Sequence, residues 1–199
     1  MAYNRFTRVI PGILIVVIIV VALVALISLG RALFFSGSDT TAIPDVSREA
    51  LLSTTASHSV RMIVRGPIVS NENFRSYQIT ISPDSRVITS YSGYLDTKLE
   101  EVVLSNNVKA YDEFVHALDK ANLTKGDMLT GEDNDLRGVC ATGTVTDFAV
   151  LDNGSAVKEL WTSTCKGSRG SLDASASQLG GLFRAQIPES NNLIKKIDL

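Results

Sequence analysis

The pattern of apolar and polar residues divides the chain into one unbroken apolar run and a longer part in which apolar residues recur at short intervals. The run extends over the twenty-one residues from Val9 to Leu29, and none of them is charged. Because a helix rises about 1.5 Å per residue, this segment would cover roughly 30 Å, the thickness of a bilayer core. We therefore predict a single transmembrane signal-anchor helix over residues 9–30.

The basic residues before this run predict its orientation in the membrane. Arg5 and Arg8 precede the run, and segments rich in Lys and Arg stay on the cytoplasmic side. We expect a cytoplasmic tail over residues 1–8, a juxtamembrane linker over residues 31–45 and an extracytoplasmic domain over residues 46–199. The predicted location is the cell membrane, with a single pass and the C-terminal domain outside.

Two other interpretations of the apolar run stay open. A cleaved signal peptide also has a basic start and an apolar middle, and Ser28-Leu29-Gly30 offers small residues for cleavage. The apolar stretch is longer than is usual for such a peptide, which favours the anchor. A pilin-type N-terminus is disfavoured, because no Glu lies early in the run and no Gly cleavage site precedes it.

Alternation of apolar and polar residues predicts β-strands after the linker. Val60, Met62 and Val64 alternate with polar neighbours before Gly66-Pro67, which is typical of a half-buried strand. Two further alternating segments flank a predicted turn and indicate a hairpin. The residues concerned are Tyr77, Ile79 and Ile81, then the turn Pro83-Asp84-Ser85, then Val87 to Tyr91, with a further short strand at Val102 to Leu104.

Apolar residues at helical spacing predict the helices of the domain. Ser47 has the character of an N-cap that opens a short helix, and residues 107–122 carry an amphipathic pattern. A third helix is predicted from about Ser175 to Gln186, where it ends before Pro188. Hairpin strands with helices between and after them indicate an α+β fold. We expect one domain with an antiparallel sheet, hairpins and two or three helices.

Cys140 and Cys165 both lie in the predicted extracytoplasmic part, where a disulfide is the simplest use of such a pair. Two β-rich runs flank Asp152-Asn153-Gly154, and Asn-Gly is a strong signal for a hairpin turn. If the turn centres near Asn153, the two cysteines fall opposite or nearly opposite each other across the hairpin. We predict a disulfide between them. A metal or redox pair is disfavoured because Cys-x-x-Cys spacing is absent.

Trp161 is the only tryptophan of the chain. Strand alternation places Trp161, Ser163 and Cys165 on one face of the predicted hairpin. If that face points into the core, the ring packs beside the disulfide, and this is the interpretation we favour. If the ring is exposed, Trp161 is instead a candidate contact for a protein or envelope partner.

The charge balance of the exported part excludes some partners. All 21 acidic residues follow Phe35. Of the 19 basic residues, Arg5, Arg8 and Arg31 precede Phe35 and the other 16 follow it, so the part after Phe35 is acidic. An acidic domain without a basic stripe binds nucleic acid poorly and is not held on anionic lipid by charge. The expected membrane contact is therefore the apolar run itself.

The residues that commonly carry chemistry form no recognisable set in the sequence. The chain has two histidines, His58 ahead of a predicted strand and His116 within a predicted helix, and both are typical of surface positions. A Ser-His-Asp triad stays open because its members meet only in space, but no Gly-x-Ser-x-Gly motif is present. The acidic stretch Glu132 to Asp135 lacks the spacing of an EF-hand. We therefore assign no catalytic, cofactor-binding or metal-binding residue and predict no cofactor.

Two functions are compatible with these observations. The favoured one is a membrane-anchored, non-enzymatic module that binds a protein or another component of the cell envelope. It is favoured because histidine is scarce and both cysteines are used in the predicted disulfide. The alternative is a small envelope hydrolase whose catalytic residues are dispersed along the chain.

Overall fold

Six antiparallel strands form a single sheet in the computed structural model, which describes residues 45–168 and 170–199. The predicted cytoplasmic tail, the transmembrane helix and all but the last residue of the linker lie outside the described residues. Within the described part, no helix has the length and apolar character needed to cross a membrane. The predicted α+β class and antiparallel sheet are confirmed.

The described part starts with one helix and four strands, continues through a second helix and ends with two strands and two helices. The strands are β1 (His58–Arg65), β2 (Arg75–Ile81), β3 (Ser85–Ser92), β4 (Thr97–Ser105), β5 (Val145–Asp152) and β6 (Ser155–Ser163). The helices are α1 (Val46–Leu52), α2 (Val108–Lys120), α3 (Ala176–Ala185) and α4 (Ser190–Lys196), with a 3-10 turn at Gly131–Asn134.

Strand β1 lies inside the sheet, whose order is β4-β3-β2-β1-β5-β6. Strands β1 to β4 pair in sequence order, whereas β5 returns to pair with the other edge of β1. In that pairing His58 lies opposite Asp152 and Arg65 lies opposite Val145. The middle of the sheet is therefore closed by residues that are far apart in the chain.

The helices cover one face of the sheet and bury an apolar core against it. Successive side chains of a strand point to opposite faces, and the register places Met62, Ile79 and Phe148 side by side in this core. Phe183 of α3 lies with its ring centroid 5.9 Å from that of Phe148 and 5.4 Å from that of Phe114 in α2. The apolar side of α2 faces this core, which accounts for its helical periodicity.

The loop between α2 and β5 covers the opposite face of β5 and β6. Cys140, Val145 and Trp161 form a second, smaller buried cluster there. Residues packed against this cluster are Leu129, Leu136, Val139 and Cys165. The β5–β6 hairpin is therefore buried under helices on one face and under loops on the other.

The two edge strands differ in how their backbone is covered. Along β6, the amides of Ser171 and Leu172 donate hydrogen bonds of 2.9 and 3.0 Å to the carbonyl of Trp161. Strand β4, at the other end of the sheet, consists mostly of exposed residues. Its exposed residues include Lys98 and Glu100, and such charges oppose strand-to-strand association.

The predicted helices differ from the observed ones in two respects. Asp45, not Ser47, is the N-cap of α1, because its side chain accepts a hydrogen bond from the Arg48 amide. Helix α4 is absent from the prediction, so the described part has four α-helices where two or three were expected. Its seven residues bury Leu193 but are too few to produce a clear periodic signal.

Candidate functional site

The β5–β6 hairpin turns at Asn153 and Gly154, as the sequence predicts. Their φ angles are 49° and 78°, and positive values at both positions are what a type I′ turn requires. Beyond the ends of the strands, the Sγ atoms of Cys140 and Cys165 lie 2.09 Å apart and the Cα atoms 5.4 Å apart. These are disulfide distances, so the predicted pairing is confirmed.

The position of this disulfide differs from the prediction, because the pair is not opposed within the strand ladder. Val145 and Ser163 are the last paired residues of the hairpin. Cys165 follows shortly after β6, whereas Cys140 lies in the covering loop before β5. The disulfide therefore fastens the loop to the end of the hairpin.

Trp161 is 5% exposed and lies in the same buried cluster as Cys140 and Val145. Its backbone is covered closely as well, since a Cβ on Gly170 would lie 2.1 Å from the Trp161 carbonyl oxygen. The arrangement corresponds to the favoured interpretation, in which the ring packs beside the disulfide. Trp161 was a candidate partner contact only if its ring was exposed, and the ring is buried.

His58 gathers three hydroxyl groups and one carboxylate around a single ring nitrogen. Its Nδ1 lies 2.6 Å from Thr55 Oγ1, 3.1 Å from Ser57 Oγ, 3.2 Å from Ser53 Oγ and 3.8 Å from Asp152 Oδ1. A catalytic triad needs the acid on one ring nitrogen and the nucleophile on the other. Because these groups all face Nδ1, the cluster stabilises the loop before β1 and forms no triad.

The remaining sequence candidates lie at the surface beside polar or charged partners. His116 lies on an exposed part of α2, 3.7 Å from Asp112. In the acidic stretch, Arg137 donates from Nε to Asp135 at 2.9 Å, and this pairing lowers the pKa of Asp135 to about 2. Among the described residues, no three His, Cys, Asp or Glu side chains are grouped as a metal site requires.

A cavity of about 400 Å³ opens beside the disulfide loop. One wall is aromatic, where Phe74 and Tyr94 stack with ring centroids 4.2 Å apart. The amide of Ile68 donates a hydrogen bond of 2.9 Å to the carbonyl of Ala141 in the disulfide loop, which ties the neighbouring segments together. We call this the apolar cavity; its apolar lining residues are Ile68, Phe74, Tyr94, Leu136, Val139 and Val145, with Cys140.

Apolar side chains are also exposed at the surface of this cavity. Ile68 and Tyr94 line it and remain 46% and 45% exposed. Their chain neighbours Val69 and Leu95 are 40% and 92% exposed. Clustered exposed apolar residues next to a cavity mark a surface suited to binding.

Two arginines line the apolar cavity, and they differ in how firmly they are paired. The guanidinium of Arg137 donates to both carboxylate oxygens of Asp135. The guanidinium of Arg65 lies 3.9 Å from Asp96 Oδ1, which is longer than a hydrogen bond. Of the two arginines, Arg65 is therefore the one whose guanidinium has no carboxylate of the described residues within hydrogen-bond distance.

A second cavity of about 280 Å³ lies beside the first and shares Arg65 and Leu136 with it. We call it the polar cavity, because most of its lining residues are charged or polar. Its other lining residues are Arg61, Ile63, Asn134, Asp147 and Glu159.

The register of β1, β5 and β6 explains why Asp147 is buried in this second cavity. Asp147 lies between Ile63 on one neighbouring strand and Trp161 on the other. Val145 and Ala149 precede and follow it on the same face of β5. Asp147 is consequently only 4% exposed, although it carries a carboxylate.

Arg61 pairs with the two carboxylates of the polar cavity unequally. Its Nη2 donates to Glu159 Oε1 at 2.7 Å but lies 3.5 Å from Asp147 Oδ1. The register places the small residue Ala149 between Arg61 and Glu159, so the long side chain reaches across it. No described residue donates a hydrogen bond to either oxygen of Asp147.

Burial and, less strongly, the negative charge of Glu159 raise the pKa of Asp147 to about 7. The positive charges of Arg61 and Arg65 act in the opposite direction and do not compensate. A carboxylate that is buried without donors is destabilised in its charged form. Perturbed carboxylates in cavities are common at functional sites, which makes Asp147 the strongest single candidate residue.

The sequence analysis missed Asp147 and both cavities. Strand β5 reads Val-Thr-Asp-Phe-Ala-Val-Leu-Asp and is buried over most of its length. Such a run is typical of a strand covered on both faces, and an acidic residue within it is the signal that identifies the site.

No protein family model matches this chain, and no curated protein matches it in sequence. The candidate site is therefore defined by the geometry of the two cavities.

Proposed function

We propose that the chain is a membrane-anchored binding module that takes up a small ligand with an apolar body and an acidic group. The observation that carries this proposal is the apolar cavity, which is lined by aromatic and aliphatic residues together with Arg65. Its volume of about 400 Å³ lies within the range of small-molecule sites. Such sites combine a mostly apolar lining with a few polar groups that orient the ligand.

The acidic group of the ligand is inferred from the state of Arg65. Guanidinium groups bind carboxylates through two parallel hydrogen bonds when no competing acid occupies them. Asp96, at 3.9 Å, leaves Arg65 able to form such a pair. The hydrolase alternative has less support, because His58 has its acid and hydroxyl neighbours at one nitrogen.

The location outside the membrane is proposed from two observations. The apolar run over residues 9–30 supplies an anchor, and the disulfide pair suits an oxidising compartment. Protease added to intact cells should therefore digest the domain while the anchor stays in the membrane. Release of the domain into the medium with a new N-terminus near Arg31 would identify a cleaved signal peptide instead.

The binding proposal is tested with 4-phenylbutyrate and its neutral analogue 4-phenylbutanol. Full-length protein in nanodiscs is titrated calorimetrically against both probes, with empty nanodiscs as the blank. We expect both probes to bind and the acid to bind about tenfold more tightly, as a charge-assisted pair provides. Arg65→Gln should remove the preference for the acid and leave binding of the alcohol unchanged.

Arg137→Gln is the matched control, because it removes the other arginine of the same cavity. Its guanidinium is already bound to Asp135, so the preference for the acid should persist. Absence of binding by both probes would overturn the proposal. Equal binding of acid and alcohol to the wild-type protein would overturn the assignment of an acidic ligand.

A further inference from the structure

The polar cavity contains a buried carboxylate that the proposed binding of an acid does not use. Asp147 lines this cavity, is 4% exposed and receives no hydrogen bond from the described residues. A buried polar group without a partner is costly, and ligands commonly supply the missing partner. The question is which ligand group fits the two oxygens of Asp147.

The charged residues around Asp147 show which charge the site lacks. Strand β1 contributes Arg61 and Arg65, and strand β6 contributes Glu159. Arg61 is hydrogen bonded to Glu159 at 2.7 Å, and Arg65 also lines the apolar cavity. Arg61 Nη2 lies 3.5 Å from Asp147 Oδ1, so this weaker ion pair leaves both oxygens of Asp147 without a hydrogen-bond donor among the described residues. A positively charged donor would complete the cavity.

An ammonium group meets these requirements better than a metal ion or an anion does. It carries three N–H donors in a compact cation, whereas both oxygens of Asp147 lack a donor. A hard metal ion would need several free oxygen ligands, and Glu159 is already bound by Arg61. An anion in this position would face the carboxylates of both Asp147 and Glu159.

The placement of Arg65 connects the two cavities. Arg65 pairs with Val145 and Asp147 pairs with Ile63, so Arg65 and Asp147 are diagonal neighbours on one face of the sheet. Diagonal neighbours lie roughly 7–8 Å apart, within reach of long side chains. One small ligand could therefore place an acidic group on Arg65 and a basic group on Asp147.

We infer that the polar cavity is a subsite for a primary ammonium group, bound by the carboxylate of Asp147, and that the ligand is an apolar α-amino acid. The amino acid places its carboxylate on Arg65 and its side chain in the apolar cavity. The identity of the ligand rests on the proposed function, whereas the ammonium subsite rests on the polar cavity alone. The two parts are therefore tested separately.

The ammonium subsite is tested with n-butylammonium against n-butanol, which contains no cation. Full-length protein in nanodiscs is labelled with ¹³C in its aspartate carboxyl groups. The pKa of Asp147 is then measured by varying the pH in the presence of each probe. We expect n-butylammonium at saturation to lower the pKa of Asp147 by at least one unit, because the cation stabilises the carboxylate. The alcohol should leave this pKa unchanged. An unchanged pKa with both probes would overturn the subsite.

Trp161 provides a second measurement at the same place, because it lies directly opposite Asp147 and is the only tryptophan of the chain. At pH 8, n-butylammonium should change the Trp161 fluorescence in the wild-type protein and in Asp112→Asn, a control on the solvent-facing side of α2. Asp147→Asn should abolish the response. Glu159→Gln should weaken it, because Arg61 is then released to pair with Asp147. A response that persists in Asp147→Asn would contradict the assignment.

The amino acid is tested with L-leucine and N-acetyl-L-leucine, which shares its side chain and carboxylate. At pH 8 we expect L-leucine to bind the wild-type protein at least tenfold more tightly than N-acetyl-L-leucine does. We expect the two compounds to bind Asp147→Asn with equal affinity. Equal binding to the wild-type protein would leave the proposed function in place and overturn this inference. Failure of both leucine probes, with n-butylammonium still lowering the pKa of Asp147, would overturn the amino acid but leave the ammonium subsite standing. The proposed function is overturned separately, by the failure of 4-phenylbutyrate and 4-phenylbutanol to bind.

Discussion

Strand β5 is buried on both faces, and the two faces are buried in opposite ways. On the helix-covered face, Phe148 and Val150 belong to a large apolar core. On the loop-covered face, Asp147 is held beside a cavity without a hydrogen-bond donor among the described residues. A single strand thus contributes both to the large apolar core and to a buried carboxylate that accepts no hydrogen bond from the described residues.

The difference between the faces separates stability from binding. Apolar burial on the helix-covered face supplies the free energy of folding. A buried carboxylate without donors lowers that free energy, so it persists only where other packing maintains the structure. The loop-covered face, where we propose that the ligand binds, is therefore the face that contributes less to the free energy of folding.

The largest effect is expected from a cavity cut into the helix-covered face. Phe183→Ala removes a fully buried ring that contacts Phe114 and Phe148, and it should lower the free energy of unfolding by about 3–5 kcal/mol. Urea unfolding followed by circular dichroism measures this loss. The comparison variant is Leu136→Ala on the loop-covered face, where a cavity already exists and the loss should be smaller. Equal losses in the free energy of unfolding of the two variants would mean that both faces contribute equally to stability.

A smaller effect is expected from removing the disulfide. Replacing Cys140 and Cys165 with Ser opens a loop of sequence separation 25, which costs roughly 3 kcal/mol in the chain-entropy model. The helix-covered core should keep the domain folded, while the fluorescence of Trp161 should change because its covering loop is released. Unfolding midpoints from Trp161 fluorescence and circular dichroism should then separate. Coincident midpoints would show that the loop does not unfold independently.

The smallest effect concerns the ionisation of Asp147. Its pKa of about 7 lies above the ordinary value, so the folded state binds this proton more tightly than the unfolded state does. Stability is therefore lost as the pH rises from about 4 to about 7, and the loss is complete above that range. Asp147→Asn should be more stable than the wild type at pH 8, with little difference near pH 4. If the free energies of unfolding of the two proteins changed in parallel with pH, the pH dependence would not come from Asp147.

The elements that could be predicted from the sequence are those specified by neighbouring residues. The amphipathic pattern of α2 and the Asn153-Gly154 turn are local features, and both are present as predicted. Helix α4 is too short for its periodicity to be recognised. The disulfide pair was predicted correctly, but its place outside the strand ladder depends on the path of the covering loop.

The candidate site could not be predicted, because its geometry comes from strand register. Arg61 reaches Glu159 only because Ala149 lies between them in the sheet, and those three residues stand on separate strands. The sequence of β5 shows an acid within an apolar strand but does not show that its nearest cation is occupied. The burial of Trp161 beside the disulfide was the favoured interpretation, and the alternative stayed open because loops that close over the hairpin decide it.

The pairing of β1 with β5 also determines the order in which the sheet is completed during synthesis. Strands β1 to β4 and helix α2 are made before β5, so β1 first has a partner on one side only. Its other edge stays open until residues 145–152 have been made, and an open edge pairs readily with strands of other molecules. The same register that builds the candidate site thus makes β1 the strand at which misassembly between nascent copies would begin.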